Sequence, residues 1–243
     1  MSVQSVERTF TLLESLARAP RPLGVSELAA ESGLSLGTIH RLLQTLVGLG
    51  YVRQDATRTY ALGVGLVRLG DRATAGLATW ARPLMEDLAR ELGESVNLAT
   101  VEGDRVVYVA HVPSVRSMRM FTEVGSRVAV HSTGVGKAML AQMPPEQVEA
   151  ILARTGLPAI SERTITDEAA FTAELARVAE QGYALDDEEQ EAGVRCVAVA
   201  VPGTVPLLAV STSGPSSRMT DDVVARAVPR LQTAAQAMAE EWG

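Results

Sequence analysis

The chain has 243 residues, 47% of them hydrophobic and only 4% aromatic: enough for a sizeable aliphatic core and too long for one small domain. Its formal net charge of -7 argues at first against a nucleic-acid partner. One cysteine, Cys196, excludes an intramolecular disulfide and any paired-cysteine metal or redox motif. No apolar run reaches the length of a membrane span and Met1 to Pro20 lacks a basic-then-apolar leader pattern, so the expected location is the cytoplasm and no membrane partner is expected.

Val6, Phe10, Leu13 and Leu16 recur at helical spacing and predict a first helix over Val3 to Ala19, ended by Pro20 to Pro22. Ser26 to Gly50, SELAAESGLSLGTIHRLLQTLVGLG, then reads as two short helices joined by a tight glycine turn. Ser35 is a good N-cap for the second helix and Gly50 a good C-terminal stop. Its apolar stripe, Ile39, Leu42, Leu43, Leu46 and Leu49, leaves Leu36, Gly37, Thr38, His40, Arg41, Gln44 and Thr45 wholly or partly outward. That small, polar face without acids suits a helix entering a DNA major groove; an ordinary helical hairpin is the plain alternative. His40, Arg41 and Gln44 are the base-reading candidates, with Ser35 and Thr38 nearer phosphates.

Tyr51 to Gln54 and Arg58 to Leu62, separated by Asp55-Ala56-Thr57, read as a two-stranded hairpin and so complete a winged helix. Arg53 and Arg58 fall at or near the wing tip, in reach of backbone phosphates or a minor groove; simple solubilising charge is the alternative. The charge is also split. Through Arg72 the chain holds eight arginines and six acids, a net of +2, and the remainder carries a net of -9. Locally positive charge is what DNA binding requires, and so small an excess calls for two or more copies acting together.

Val64 to Ala78, with Leu66, Leu69 and Ala73 on one stripe, predicts a connecting helix made weakly helical by Gly63, Gly65, Gly70 and Gly76, which serve either flexibility or close packing. The domains expected are 1–63, a connecting helix 64–78, and 79–243. In the last, Trp80 to Leu92, Pro144 to Arg154, Thr166 to Gln181 (capped by Thr166) and a final helix from Thr220 to about Glu240 read as helices. Ser95 to Val101, Arg105 to Val112, Tyr183 to Asp187, Val194 to Val201 and Leu207 to Thr212 read as strands, the first two joined by a hairpin turn at Glu102-Gly103-Asp104. The fold class is therefore α+β with a central, largely antiparallel sheet.

Several stretches resemble the IclR family of bacterial transcriptional regulators: SVERTFTLLESLA, LGVSELAAESGLSLGTIHRLLQTLVGLGYV, YALGVGLVRLG, HSTGVGKAMLA, EQEAGVRC and AVSTSGPSSR, in family order and nearly end to end. The resemblance implies a winged helix followed by an effector-binding domain related to GAF and PAS folds. It also implies a homodimer or dimer of dimers on a palindromic operator, answering to a small carboxylate-bearing or aromatic metabolite. Carried over by position, the effector residues are Gly134, Val135, Asp186, Cys196, Ser211 and Ser213.

These positions have chemistry of their own. Thr133 to Lys137 offers backbone N–H groups at a helix start, a ready anion site for a carboxylate that Lys137 would reinforce if it pointed inward; a lysine on an amphipathic helix is expected to face water instead, and the stretch lacks the spacing of a phosphate loop. Ser211 and Ser213, two apart on a strand, share a face, as do Cys196 and Ala198. A polar patch inside an aliphatic sheet suits a ligand pocket, while serines satisfied by backbone and a buried cysteine are the plain alternative. His131, Asp186 and Ser211 or Cys196 form no recognised hydrolytic motif, and the histidines show no ligand spacing for metal, so neither enzyme, cofactor nor metal is expected. His131 is expected to be structural, and His111 to line a pocket or sit on a loop. The expected function is a sequence-specific DNA-binding transcriptional regulator, a repressor rather than an activator, controlled by a small effector. The alternative is an effector-binding protein whose winged helix serves protein interaction.

Overall fold

The structure, a computed structural model, describes residues 3–74, 78–116 and 122–242. The chain divides into two compact units, Met1–Ala73 and Thr74–Gly243, the division falling inside the predicted connecting helix.

The first unit begins with α1 (Gln4–Arg18), α2 (Val25–Ser32) and α3 (Leu36–Gly48). Glu27 reaches back to accept the Gly24 N–H at 2.8 Å, starting α2, and Gly33 at φ 67° ends it. Ser35 caps α3 by accepting the Thr38 N–H at 3.4 Å, and Gly50 at φ 78° lets the Tyr51 N–H close back on the Leu46 carbonyl at 2.9 Å. Leu12, Leu16, Leu28, Ile39, Leu43 and Leu46 form the core. Two sequence expectations change. In α1 the inward residues are Leu12, Ser15 and Leu16, whereas Val6 and Phe10 are 51% and 59% exposed, because the helix carries two apolar stripes and spacing alone does not choose between them. Leu49 is exposed as the C-cap, where the chain leaves the helical face.

The wing is β1 (Val52–Gln54) antiparallel to β2 (Tyr60–Leu62), with Val52 opposite Leu62. Arg58 and Thr59 belong to the turn, not the strand. Asp55 organises that turn, accepting from the Thr57 and Thr59 amides at 3.0 Å each and from both hydroxyls at 2.6 Å. After the wing, a Cβ on Gly63 would lie 2.3 Å from the Gly50 carbonyl oxygen and one on Gly65 2.8 Å from it. These glycines therefore serve close packing of the start of α4 (Gly65–Thr74). Gly76 lies outside the described residues.

The second unit comprises α5 (Ala78–Leu92), β3 (Ser95–Glu102), β4 (Arg105–Val112), β5 (Arg127–Ala129), α6 (Gly134–Leu140), α7 (Pro145–Thr155), α8 (Glu168–Gln181), β6 (Ala184–Asp187), β7 (Val194–Val201), β8 (Leu208–Pro215) and α9 (Asp221–Trp242). Among the described residues its sheet has the order β5-β4-β3-β8-β7-β6, every pair antiparallel. The short strand β5 was not expected from sequence, and the cap of α8 is Asp167, which accepts from the Ala170 N–H at 2.8 Å, instead of Thr166.

The two faces of the sheet differ by residue size. Val96, Leu98, Val197, Val199, Val201, Leu208 and Val210 pack on α5 and α9. Alternate positions, Ala99, Ala184, Ala198 and Ala209, face α6, α7 and α8. Alanine lets α6 approach closely: a Cβ on Gly134 would lie 3.4 Å from both Ala198 Cβ and Cys196 Sγ.

Candidate functional site

Two surfaces carry the residues singled out from sequence. On α3, Ser35, Leu36, Gly37, His40, Arg41, Gln44 and Thr45 are exposed and Thr38 is half-buried. Ser35 Oγ and Thr38 Oγ1 lie 2.9 Å apart, and the Thr45 hydroxyl donates to the Arg41 carbonyl at 3.0 Å, so its own acceptor capacity is what remains outward. The helix contains no acid. Arg53 is exposed on β1 and Arg58 on the turn, where φ is 61°. The hydrogen bonds at Asp55 hold that turn in place and keep its carboxyl down at about 2.

The second surface is a cavity of about 320 Å³ on the alanine-bearing face of the sheet. Sheet register builds its floor. Asp186 pairs with Cys196, Cys196 with Ser213, and on the next rung Ala198 pairs with Ser211 and Ser211 with Asn97. Gly134, Asp186, Cys196 and Ser213 all line the cavity. Val135 and Ser211 do not border it: Val135 is 1% exposed within the core around α6, and Ser211 is 1% exposed and buried one rung inward. The wall adds Asn97, Tyr108, Thr133, Gln190 and Val194, with Thr122, Glu123 and Ser126 from the loop before β5. Asn97 and Tyr108 escape sequence reading because they lie on other strands, and only cross-strand register brings them in. The turn after β6 contributes Gln190, whose side-chain amide oxygen Oε1 accepts from the Ser132 hydroxyl at 2.6 Å.

Burial pushes the Asp186 carboxyl up to about 7 even though its Oδ1 accepts the Glu189 and Gln190 N–H groups at 2.8 and 3.2 Å. Burial likewise pushes the Cys196 thiol up to about 12, with Asp186 adding to it, so the sulfur is a neutral thiol in the cavity wall.

Lys137 departs most from expectation. It is 1% exposed and turned inward, its ammonium 2.5 Å from Glu189 and 3.2 Å from Glu174. Helix α6 is buried on every side, so no face was left for a solvated lysine. Arg177 also holds Glu174, at 2.5 Å. Burial works to raise Glu174, and its bonds to Arg177 and Lys137 still hold it below the usual carboxylate range; Glu189 is raised by burial. The ion pair ties α6 to the turn that borders the cavity. His131 donates from Nε2 to the Pro158 carbonyl at 3.0 Å and meets Phe171 edge-on, a structural role in which burial lowers its pKa. His111 sits on β4, its Nδ1 2.7 Å from Asn97 Oδ1. Among the described residues no group of three or more His, Cys, Asp or Glu is placed to hold a metal ion, and no helix is long and apolar enough to cross a membrane.

Residues 5–56 match the IclR helix-turn-helix domain, and residues 73–240 match the bacterial transcriptional regulator IclR C-terminal domain. The chain belongs to the IclR family of bacterial transcriptional regulators. The HTH-type transcriptional regulator KdgR of Escherichia coli (strain K12) is 35% identical over 247 residues, covering 100% of this chain and 94% of the relative. The Transcriptional repressor IclR of the same strain is 35% identical over 229 residues, covering 91% and 84%. The crystal structure of an IclR transcriptional regulator from Alicyclobacillus acidocaldarius superposes with a TM-score of 0.88 at 29% identity over 100% of each chain. This IclR-family chain is thus a DNA-binding transcriptional regulator with an N-terminal helix-turn-helix and a C-terminal effector domain.

Proposed function

We propose that this regulator is a cytoplasmic repressor that binds a palindromic operator as a homodimer or dimer of dimers and changes its DNA affinity when a small metabolite fills the cavity. The domains that carry these roles are 1–63 for DNA, 64–78 as connector and 79–243 for the effector. The observation that carries the DNA reading is the acid-free exposed face of α3, started by its N-cap Ser35 inside a winged unit. His40, Arg41 and Gln44 read base edges, Leu36, Gly37 and Thr45 lie against the groove, and Ser35, Thr38, Arg53 and Arg58 meet backbone phosphates. Self-association is supported by Val6 and Phe10, exposed apolar side chains on α1, and by the small net charge around α3. A symmetric pair would set two α3 helices about 34 Å apart on successive major grooves. The name of the E. coli repressor supports the sign of regulation.

The effector binds against Gly134, Asp186, Cys196 and Ser213, with Val135 and Ser211 shaping the site from behind. A cavity of about 320 Å³ with polar floor and one tyrosine suits a compact carboxylate or single-ring metabolite. A mobility-shift assay on the DNA immediately upstream of the encoding gene tests the reading. Arg41→Ala is expected to cost roughly 1–3 kcal/mol of binding and relax preference at one base position. Equal weakening on all sequences contradicts the base contact, and no shift on any genomic DNA contradicts the DNA role of α3.

A further inference from the structure

Three side chains on three adjacent strands form one hydrogen-bonded chain ending in the cavity. His111 Nδ1 on β4 lies 2.7 Å from Asn97 Oδ1 on β3, and Asn97 Nδ2 lies 3.2 Å from Ser213 Oγ on β8. Asn97 and Ser213 border the cavity and are only 2% and 7% exposed, so neither trades this bond for bulk water without cost. An amide oxygen only accepts, so this orientation of the Asn97 amide requires the His111 proton on Nδ1. An amide nitrogen only donates, so one lone pair of Ser213 is occupied. The Ser213 hydrogen is then available to another partner. With the opposite tautomer the amide turns over, Ser213 donates to Asn97, and the cavity meets a lone pair instead. The polarity of a cavity hydroxyl therefore follows from the proton position on a histidine two strands away.

We infer that His111, acting through Asn97, sets Ser213 as a hydrogen-bond donor into the cavity, and that the effector presents to it an acceptor oxygen of a carboxylate or carbonyl. This inference rests on the cavity being the effector site. His111 and Asn97 are positioning residues for Ser213, and they select ligands by the direction of one hydrogen bond.

Nitrogen-15 NMR of the full chain at pH 8 reads the tautomer directly, and formate, titrated at pH 6 where the Asp186 carboxyl in the same cavity is largely neutral, serves as an acceptor-only probe. The expected result is a proton bonded to His111 Nδ1, and formate-dependent shifts at the Gly134 and Ser213 amides. Formate affinity falls about tenfold or more in Ser213→Ala and in Asn97→Asp, whose carboxylate accepts from both neighbours and turns the Ser213 hydrogen away. The double variant loses no more than Ser213→Ala alone, which separates positioning from the added charge. An unprotonated Nδ1 overturns the inference whatever formate does. A protonated Nδ1 with formate shifts indifferent to both substitutions overturns it while leaving the cavity reading intact. No formate response at Gly134, Asp186 or Ser213 overturns the cavity reading itself, and the inference with it.

Discussion

Asp55 in the wing and Asp186 in the cavity are both turn-forming aspartates that accept backbone N–H groups, yet their acidities move in opposite directions. Asp55 is held at about 2 by four short hydrogen bonds in a solvent-facing turn. Asp186 is pushed up to about 7 because burial outweighs its two amide donors. Hydrogen bonds set the acidity where water still solvates the charge, and desolvation sets it where water is removed. The same contrast separates the two units: local contacts build the exposed face of α3, while the cavity is assembled from distant strands around buried charge.

Lys137 offers the largest break in that contrast. Lys137→Met leaves Glu189 and Glu174 buried beside one another without their shared cation, and should cost the effector unit about 3–5 kcal/mol. Calorimetry is expected to show this as a lowered transition for the second unit with the first unchanged; a neutral result would mean the ammonium contributes little beyond its methylenes.

The pH dependence sharpens the comparison next. The folded-state value of Asp186, about 7, lies above its unfolded value near 4, so its contribution is full below about pH 4 and is lost as pH rises to 7. Glu189, also raised by burial, acts in the same direction. The effector unit should therefore melt higher at pH 5 than at pH 8, and Asp186→Asn should flatten most of that slope. Asp55 gives the reverse and smaller effect. Its depressed value means stability present above about pH 4 and lost as pH falls toward 2, so the winged unit should weaken with acid, less so in Asp55→Asn. Melting curves over pH 3 to 8 check both; parallel slopes in the two units would defeat the comparison.

The winged unit was readable because its signals are local: Ser35 and Gly50 bound α3, and the outward residues fall within three turns of one helix. Even there, Val6 and Phe10 misled, because an apolar stripe made for the core and one left exposed have the same spacing. In the effector unit, strand alternation marked Ser211 and Ser213 as one face, and register then separated them by their distance from the cavity. Asn97, Tyr108 and Gln190 carry no local sign of their place in the cavity wall, because what brings them to Ser213 and Asp186 is pairing across the sheet and a turn after β6. The burial of Lys137 is hidden from its own sequence neighbourhood for a related reason: it is decided by Glu174 and Glu189, which lie on another helix and in a later turn.

Filling the cavity is expected to alter the affinity of the winged unit for DNA. Fluorescence anisotropy with labelled DNA from immediately upstream of the encoding gene, with and without the metabolite that most raises the melting temperature, measures this coupling. A roughly 5- to 150-fold change in affinity is expected for the wild-type chain. A Ser213→Ala chain should bind the DNA equally well without metabolite and need about tenfold more of it to respond. A DNA affinity that stays unchanged when the metabolite saturates the chain would contradict the coupling, and a Ser213→Ala chain that responds at the wild-type metabolite concentration would contradict the part given to Ser213.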